Sequence, residues 1–315
     1  MAWDFVMLNK NFSKNLVRID NFDVSFNMLW VAQDTPFLGT IAKGVILLVP
    51  VFNTSLRCWK VWEKAIYRLD PLPEKVVFCE NNSSDNTLEL ISNFQLPHEI
   101  IRVWFKPDAA KEDEYGPIAQ VRQLLLTRAR TYGAKIAIFL DDDCIPERRD
   151  FIQMFLDDNL DICGGSYTRD FPNGNMVSSL WDISMPKMKF PKTASYKKDI
   201  ENCKKAGYHI LGYSYEILEK DGRTKFECTA LSAGALALGQ KVLQDKQLDF
   251  YPLHPELGDK GEVSEDFGFC LFAGTLGYTI YLDFAIKFAH LGGFSIANEP
   301  KHRPWVIDER ETFEF

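Results

Sequence analysis

The chain has 315 residues, 46% hydrophobic and 13% aromatic, enough apolar material for one large domain or two small ones and too much for wholesale disorder. Lys and Arg number 36 against 44 Asp and Glu, for a net charge of -8, which argues against a broad nucleic-acid surface but leaves room for a small basic pocket. The seven cysteines (58, 79, 144, 163, 203, 228 and 270) form no CxxC pair, and several lie in apolar segments. The expectation is a reducing compartment with neither a disulfide framework nor structural zinc.

Residues 1–6 lack the basic and apolar regions of a signal peptide, and no apolar run reaches membrane-spanning length; the best, 45–52, is far too short. A soluble, cytoplasmic protein without a membrane span is expected. Residues 1–43 mix aromatic and polar side chains without clean periodicity and read as an extension packed on the main domain. From Gly44 the pattern is regular. Residues 45–49 form a buried strand stopped by Pro50, and 59–69 a helix with Trp59, Trp62, Ile66 and Leu69 at helical spacing, broken by Pro71 and Pro73. A second strand at 76–79 runs into the turn residues 81–84, and Ser84 or Asp85 caps a helix reaching Phe94.

A third strand spans 99–105; after a polar loop, Pro117 opens a long helix to Tyr132, capped by Gly133. The continuous apolar run 134–140 then ends in three consecutive carboxylates, Asp141, Asp142 and Asp143. This β-α-β-α-β-α-β order predicts an α/β fold: a mainly parallel central sheet with helices on both faces, in a single domain over 44–290. Its second half, 146–290, reads as a short helix at 147–157, a strand at 161–167 and an irregular insertion at 168–225. A small-residue strand pair follows around Gly234 (230–238), then a helix at 265–276 and a strand at 278–283. The tail 291–315 holds Gly292-Gly293 and a basic-aromatic knot, Lys301 to Trp305.

Four constellations carry chemistry. Nothing in folding asks for three adjacent acids after a buried strand; a hard divalent cation lowers the cost of placing them there, although an acidic turn is the plain competitor. Asp141 and Asp143, one residue apart, can reach the same ion. Glu80-Asn81-Asn82-Ser83-Ser84-Asp85-Asn86-Thr87 is a polar turn able to hydrogen-bond a base or ribose, or simply to cap a helix. Glu265-Asp266 opens a helix, where acids are ordinary dipole chemistry, yet one carboxylate there can serve as a general base. His290 supplies a neutral imidazole suited to complete an ion site.

In this order and spacing the four resemble a glycosyltransferase of the GT-A (Rossmann-like) fold, in the broad family-2-like group that includes Anp1-type mannosyltransferases. The resemblance runs from about Gly44 to His290. It makes 44–145 the nucleotide-sugar-binding half and 146–290 the acceptor half. Val49-Pro50-Val51-Phe52-Asn53 resembles the opening strand and turn that border the nucleotide, and Glu80 to Thr87 the nucleotide-binding turn, with Glu80, Asn81 and Asn82 standing where the family uses Asp and Gly. Arg122 resembles the helix arginine that faces the donor. Asp141-x-Asp143 matches the DxD metal motif, Ser232 to Gly239 the small-residue segment beneath the acceptor, and Glu265-Asp266 the ED helix. His290 falls at the third metal ligand.

The resemblance implies sugar transfer from a nucleotide-diphosphate sugar, GDP-mannose or a UDP-sugar, to a hydroxyl acceptor such as a glycan. Mn2+ or Mg2+ on Asp141, Asp143 and His290 would assist it, with Asp266 or Glu265 as base if the enzyme inverts, a retaining outcome being the alternative. The donor would be bordered by Pro50, Val51, Asn53, Glu80, Asn82, Arg122, Asp141 and Asp142, with Asp142 turned away from the ion or reaching the ribose. Lys301 and Arg303 would either close as a lid or form a solvated basic patch, and Tyr167, Trp181 and Tyr208 would either stack on the acceptor or plug a local core. The alternatives are a sugar-nucleotide nucleotidyltransferase or hydrolase, or a catalytically silent carbohydrate binder on the same fold.

Overall fold

The computed structural model describes residues 16–19, 22–27, 39–54, 56–81, 83–105, 116–171, 174–177, 180–183, 210–211, 224–250 and 264–290. Two short strands, β1 (Leu16–Ile19) and β2 (Phe22–Asn27), precede the long apolar β3 (Ile41–Val51). Then come α1 (Leu56–Tyr67), β4 (Leu72–Asn81), α2 (Thr87–Ser92), β5 (His98–Trp104), α3 (Gly116–Thr131) and β6 (Ile136–Leu140). Strands β5, β4, β3 and β6 lie side by side in that order and all run parallel.

Because side chains alternate along a strand, β3 feeds both faces of the sheet. Val45, Leu47 and Val49 pack with Trp59, Trp62 and Ile66 of α1 and Ile91 of α2. Ile46 and Leu48 pack with Val121, Leu125, Leu126 and Ala129 of α3. The sheet is thus covered on both sides, which is why its strands read as unbroken apolar runs. On the first face Trp59 stacks on Trp62 at 5.4 Å, and Phe94 meets Phe78 edge-on at 5.2 Å. Trp59, Trp62, Phe78 and Phe94 are all essentially inaccessible to solvent, and each such burial is worth ~1.5–3 kcal/mol.

The chain steps from β3 to β4 to β5 in one direction, then crosses back through α3 to place β6 on the other side of β3. The carboxyl ends of β3 and β6 therefore diverge into their loops in opposite directions, which opens a crevice between them.

The second half contributes β7 (Cys144–Pro146), α4 (Phe151–Asp158), β8 (Ile162–Phe171), β9 (Gly174–Val177), β10 (Leu180–Ile183), β11 (Ile210–Leu211) and β12 (Lys225–Cys228). It ends with β13 (Ala230–Leu231), β14 (Ala235–Gly239), α5 (Gln240–Gln244), α6 (Glu265–Thr275) and β15 (Ile280–His290). Past β6 the sheet continues β14-β8-β15-β12, giving twelve strands once β7 on β15 and β9 on β8 are included. The parallel character lies in the β5-β4-β3-β6 block and the β8-β15 pair, whereas β14 runs antiparallel to both β6 and β8.

Several expectations change in detail. Pro50 does not stop its strand: β3 runs on to Val51, because pairing with β6 ends at Leu48 and a missing N–H is tolerated beyond it. Part of 1–43 joins the sheet, with β2 antiparallel to β5 at its edge. The insertion carries strands: β9 forms a hairpin with β8, and β10 and β11 join β13, which lies beyond it, in a separate three-stranded sheet. The strand pair around Gly234 is no hairpin, since β13 pairs with β10 while β14 fills the gap between β6 and β8. The helix expected from 147 starts at Phe151, because 144–146 are drawn off as β7. Finally, β15 continues past Asp283 through an irregularity in its pairing and ends on His290.

Candidate functional site

A cleft of about 260 Å³ opens where β3 and β6 diverge. Pro50, Val51 and Phe52 from the end of β3, Asn81 from β4, Ile118, Val121 and Arg122 from α3, and Asp141, Asp142 and Asp143 line it. The acid triplet sits there because β6 ends at Leu140 and the chain turns at once, Cys144 N–H returning to Asp141 C=O at 3.0 Å.

The three acids have different surroundings. Asp141 donates its N–H to Gly234 C=O at 3.0 Å, and its carboxylate accepts from Arg122 Nη2 at 3.2 and 3.3 Å. Asp142 turns toward β3 and accepts from the Thr54 hydroxyl. Burial pushes the Asp142 carboxyl up to about 7; Thr54 works against this, while Asp143 and Asp141 add to it. Asp143 faces His290, with Oδ2 3.6 Å from Nε2. Cys144 and His290 lie directly opposite one another on β7 and β15. Ligand atoms of Asp143, Cys144 and His290 all fall within 4.8 Å of one another. Burial, then the neighbouring carboxylates, push the Cys144 thiol well up.

Arg122 is the strut of the site. Its Nε donates to Glu265 Oε1 at 3.0 Å, Nη1 to Ala233 C=O at 2.9 Å, and Nη2 to Asp141. Burial pulls the guanidinium down, but Asp141, Glu265 and Asp266 outweigh it and hold it above its ordinary value. A cation facing the donor was expected here. Arg122 does line the cleft, but it is buried there and its guanidinium also holds two carboxylates and a carbonyl. Asp141 correspondingly faces Arg122 rather than His290, so of the three expected metal ligands the structure brings together Asp143 and His290.

Glu265 and Asp266 occupy the first turn of α6, where the helix dipole favours acids. Glu265 is buried; burial and Asp266 push its carboxyl up to about 7, while Arg122 pulls it down. Asp266 is half-buried: Oδ1 accepts from the Ser264 hydroxyl and from Phe267 N–H at 2.8 Å, and Oδ2 from Ala233 N–H at 3.2 Å.

The turn after β4 is built differently from expectation. Glu80 is fully buried and accepts from Ser83 N–H at 2.6 Å and Arg102 Nε at 2.8 Å. It therefore shapes the turn from beneath and has no surface to offer a base. Asn53, at φ +48°, accepts from Ser84 N–H at 2.8 Å and donates its own N–H to Ser83 Oγ at 3.0 Å, tying the loops after β3 and β4 together. Pro50 and Val51 border the cleft. Tyr167, expected at an acceptor, is buried and stacks on the His290 ring at 5.4 Å and 13°, fixing the plane of the imidazole. Asn82, Tyr208, Lys301 and Arg303 lie outside the described residues; Trp181 pairs through its backbone with Ala230 in the small sheet.

The sequence reading missed Thr54 and Cys144 as parts of the site, and placed Gly234 only within the small-residue segment beneath the acceptor. A Cβ on Gly234 would stand 2.9 Å from Tyr167 Oη and 3.1 Å from Asp141 Oδ2, so glycine is what lets β6, β8 and the loop before β14 converge. A glycine just before a small-residue strand was the available signal. Cys144 was visible as the residue following the acids, whereas no local pattern distinguishes Thr54.

No helix among the described residues is long and apolar enough to cross a membrane. No family model and no curated protein matches the chain. Among solved structures it is similar to S. aureus TarS in complex with UDP (TM-score 0.47, 15% identity, covering 78% of this chain and 59% of that one). It is also similar to GalNAc-T7 with UDP, GalNAc and Mn2+ (TM-score 0.48, 13% identity, 78% and 43%). The chain thus spans less than two thirds of the length of either.

Proposed function

We propose that the chain is a GT-A-type glycosyltransferase that moves a sugar from a nucleotide-diphosphate sugar, a UDP- or GDP-sugar, to a hydroxyl of a glycan-type acceptor. The observation that carries this reading is the convergence on one switch-point cleft of the acid triplet, the Asp143–His290 pair and, through Arg122, the Glu265-Asp266 helix start.

The residues present fit a divalent cation, since a carboxylate and an imidazole 3.6 Å apart are a ready pair of donors. Held by Asp143 and His290, such an ion supplies positive charge for the diphosphate that leaves. Asp142 and the end of β3 border the donor. Asp266 is the base: half-buried and at the helix start, it takes the proton of the acceptor hydroxyl as that oxygen bonds to the anomeric carbon and the bond to the phosphate oxygen breaks. Glu265, turned inward onto Arg122, positions the start of the helix.

Calorimetry with a panel of UDP- and GDP-sugars, with and without divalent cation, tests the reading. Binding that requires both a cation and a diphosphate supports it. Indifference to both overturns it in favour of a silent binder, and donor breakdown that no hydroxyl acceptor accelerates overturns it in favour of a hydrolase.

A further inference from the structure

We propose that Cys144 is a third protein ligand of the cation site and that its sulfur turns the site toward a thiophilic dication of the Zn2+ class. The proposal rests on the reading that Asp143 and His290 hold a cation. It departs from the Mn2+ or Mg2+ that the sequence resemblance implies.

Three observations carry it. Cys144 and His290 are directly paired across β7 and β15, a placement that puts facing side chains on the same side of the sheet. Asp143, one residue before Cys144, is turned by the end of β6 so that its carboxylate meets the same imidazole at 3.6 Å. The sulfur, carboxylate and imidazole atoms then lie within 4.8 Å of one another. A tetrahedral zinc with Zn–S of ~2.3 Å and Zn–N of ~2.0–2.1 Å places its ligand atoms roughly 3.5 Å apart, so the three atoms have to draw closer together to close the set.

The surroundings suit such an ion. Three protein ligands leave one position open, as in catalytic rather than structural zinc sites, and Asp143 lines the cleft from which a phosphate oxygen would fill it. Tyr167 stacked on His290 fixes the ring, the task that outer contacts perform around metal-bound histidines. Sulfur is a poor partner for Mg2+ and a good one for Zn2+, and the ordinary affinity order already places Zn2+ above Mn2+. On binding, the thiol proton leaves to solvent and a metal–sulfur bond forms; no electron is transferred.

The test is a titration of the full chain with Co2+, a spectroscopic stand-in for Zn2+, in the absence of nucleotide. The expected result is one equivalent bound with a thiolate-to-cobalt charge-transfer band that Zn2+ displaces. Cys144→Ser should lose that band and bind Zn2+ at least ~10-fold more weakly. A wild-type spectrum without the band, or a band that survives in Cys144→Ser, overturns the proposal. If Cys144→Ser does not fold, His290→Ala carries the test: a changed or absent band supports the site, and an unaltered one overturns it. A protein that shows the band but turns over no nucleotide-sugar keeps the site and loses the transferase reading. One that turns over donor with Mn2+ and shows no band keeps the transferase reading and loses Cys144 as ligand.

Discussion

Arg122 and Glu265 form a buried ion pair across 143 positions of sequence, with Nε 3.0 Å from Oε1. The same guanidinium reaches Asp141, so one side chain of α3 fastens the end of β6 to the start of α6. Each side chain of the Arg122–Glu265 pair is only 6% exposed, so removing the cation strands a buried carboxylate. Arg122→Ala is expected to cost ~3–5 kcal/mol in urea unfolding, and Glu265→Gln less, because a neutral amide still accepts a hydrogen bond. A double-mutant cycle in which the two effects simply add would show that the strut does not act as a unit.

Gly234→Ala tests the convergence of the site. The added methyl must displace Tyr167 Oη or Asp141 Oδ2, and Tyr167 is held against His290. We expect a loss of ~1–3 kcal/mol in stability, with cation affinity reduced as well. A variant with wild-type cation affinity and an unchanged urea midpoint would mean that the loop absorbs the methyl.

Asp266→Asn separates base from scaffold. With Asp266 as base, kcat for sugar transfer falls by ~10²–10⁴ while donor affinity, measured by calorimetry, is kept. Glu265→Gln should instead lower stability and donor affinity together. A kcat loss confined to Glu265→Gln would exchange the two roles.

Asp283 makes stability depend on pH away from the cleft. Burial, together with Asp158 beside it, lifts its carboxyl from 3.8 to about 6, partly opposed by the Ala285 N–H it accepts from and by Lys225, which is ion-paired with Asp158. Between about pH 4 and 6 the folded chain keeps a proton that the unfolded chain has released. Its contribution is therefore fully present below about pH 4 and lost as pH rises through 6, on the order of 1–3 kcal/mol. Urea midpoints measured across that window should fall for the wild type and flatten for Asp283→Asn; parallel profiles for the two would rule this carboxyl out as the source.

Much of the parallel block was readable from local pattern. Continuous apolar runs, the helical spacing of Trp59, Trp62 and Ile66, and Gly133, whose φ of +65° ends the turn after α3, are all short-range signals. The second half was less readable. The pairing of β14 with β6 and β8 and the extension of β15 to His290 depend on partners far away in sequence. Polar side chains are ambiguous for a related reason: Glu80 and Asn53 are residue types that ligand sites use, and they also satisfy the backbone of adjacent turns.

The acid triplet at the end of a buried strand was legible in sequence alone, because three adjacent carboxylates after an apolar run stand out even against the plain reading of an acidic turn. What each acid touches was decided by its distant neighbours. Arg122 claims Asp141, Thr54 claims Asp142, and His290, arriving on the last described strand, faces Asp143. Charge and hydrogen bonding act through distances of a few ångströms, and those distances exist only once the sheet has brought its strands together.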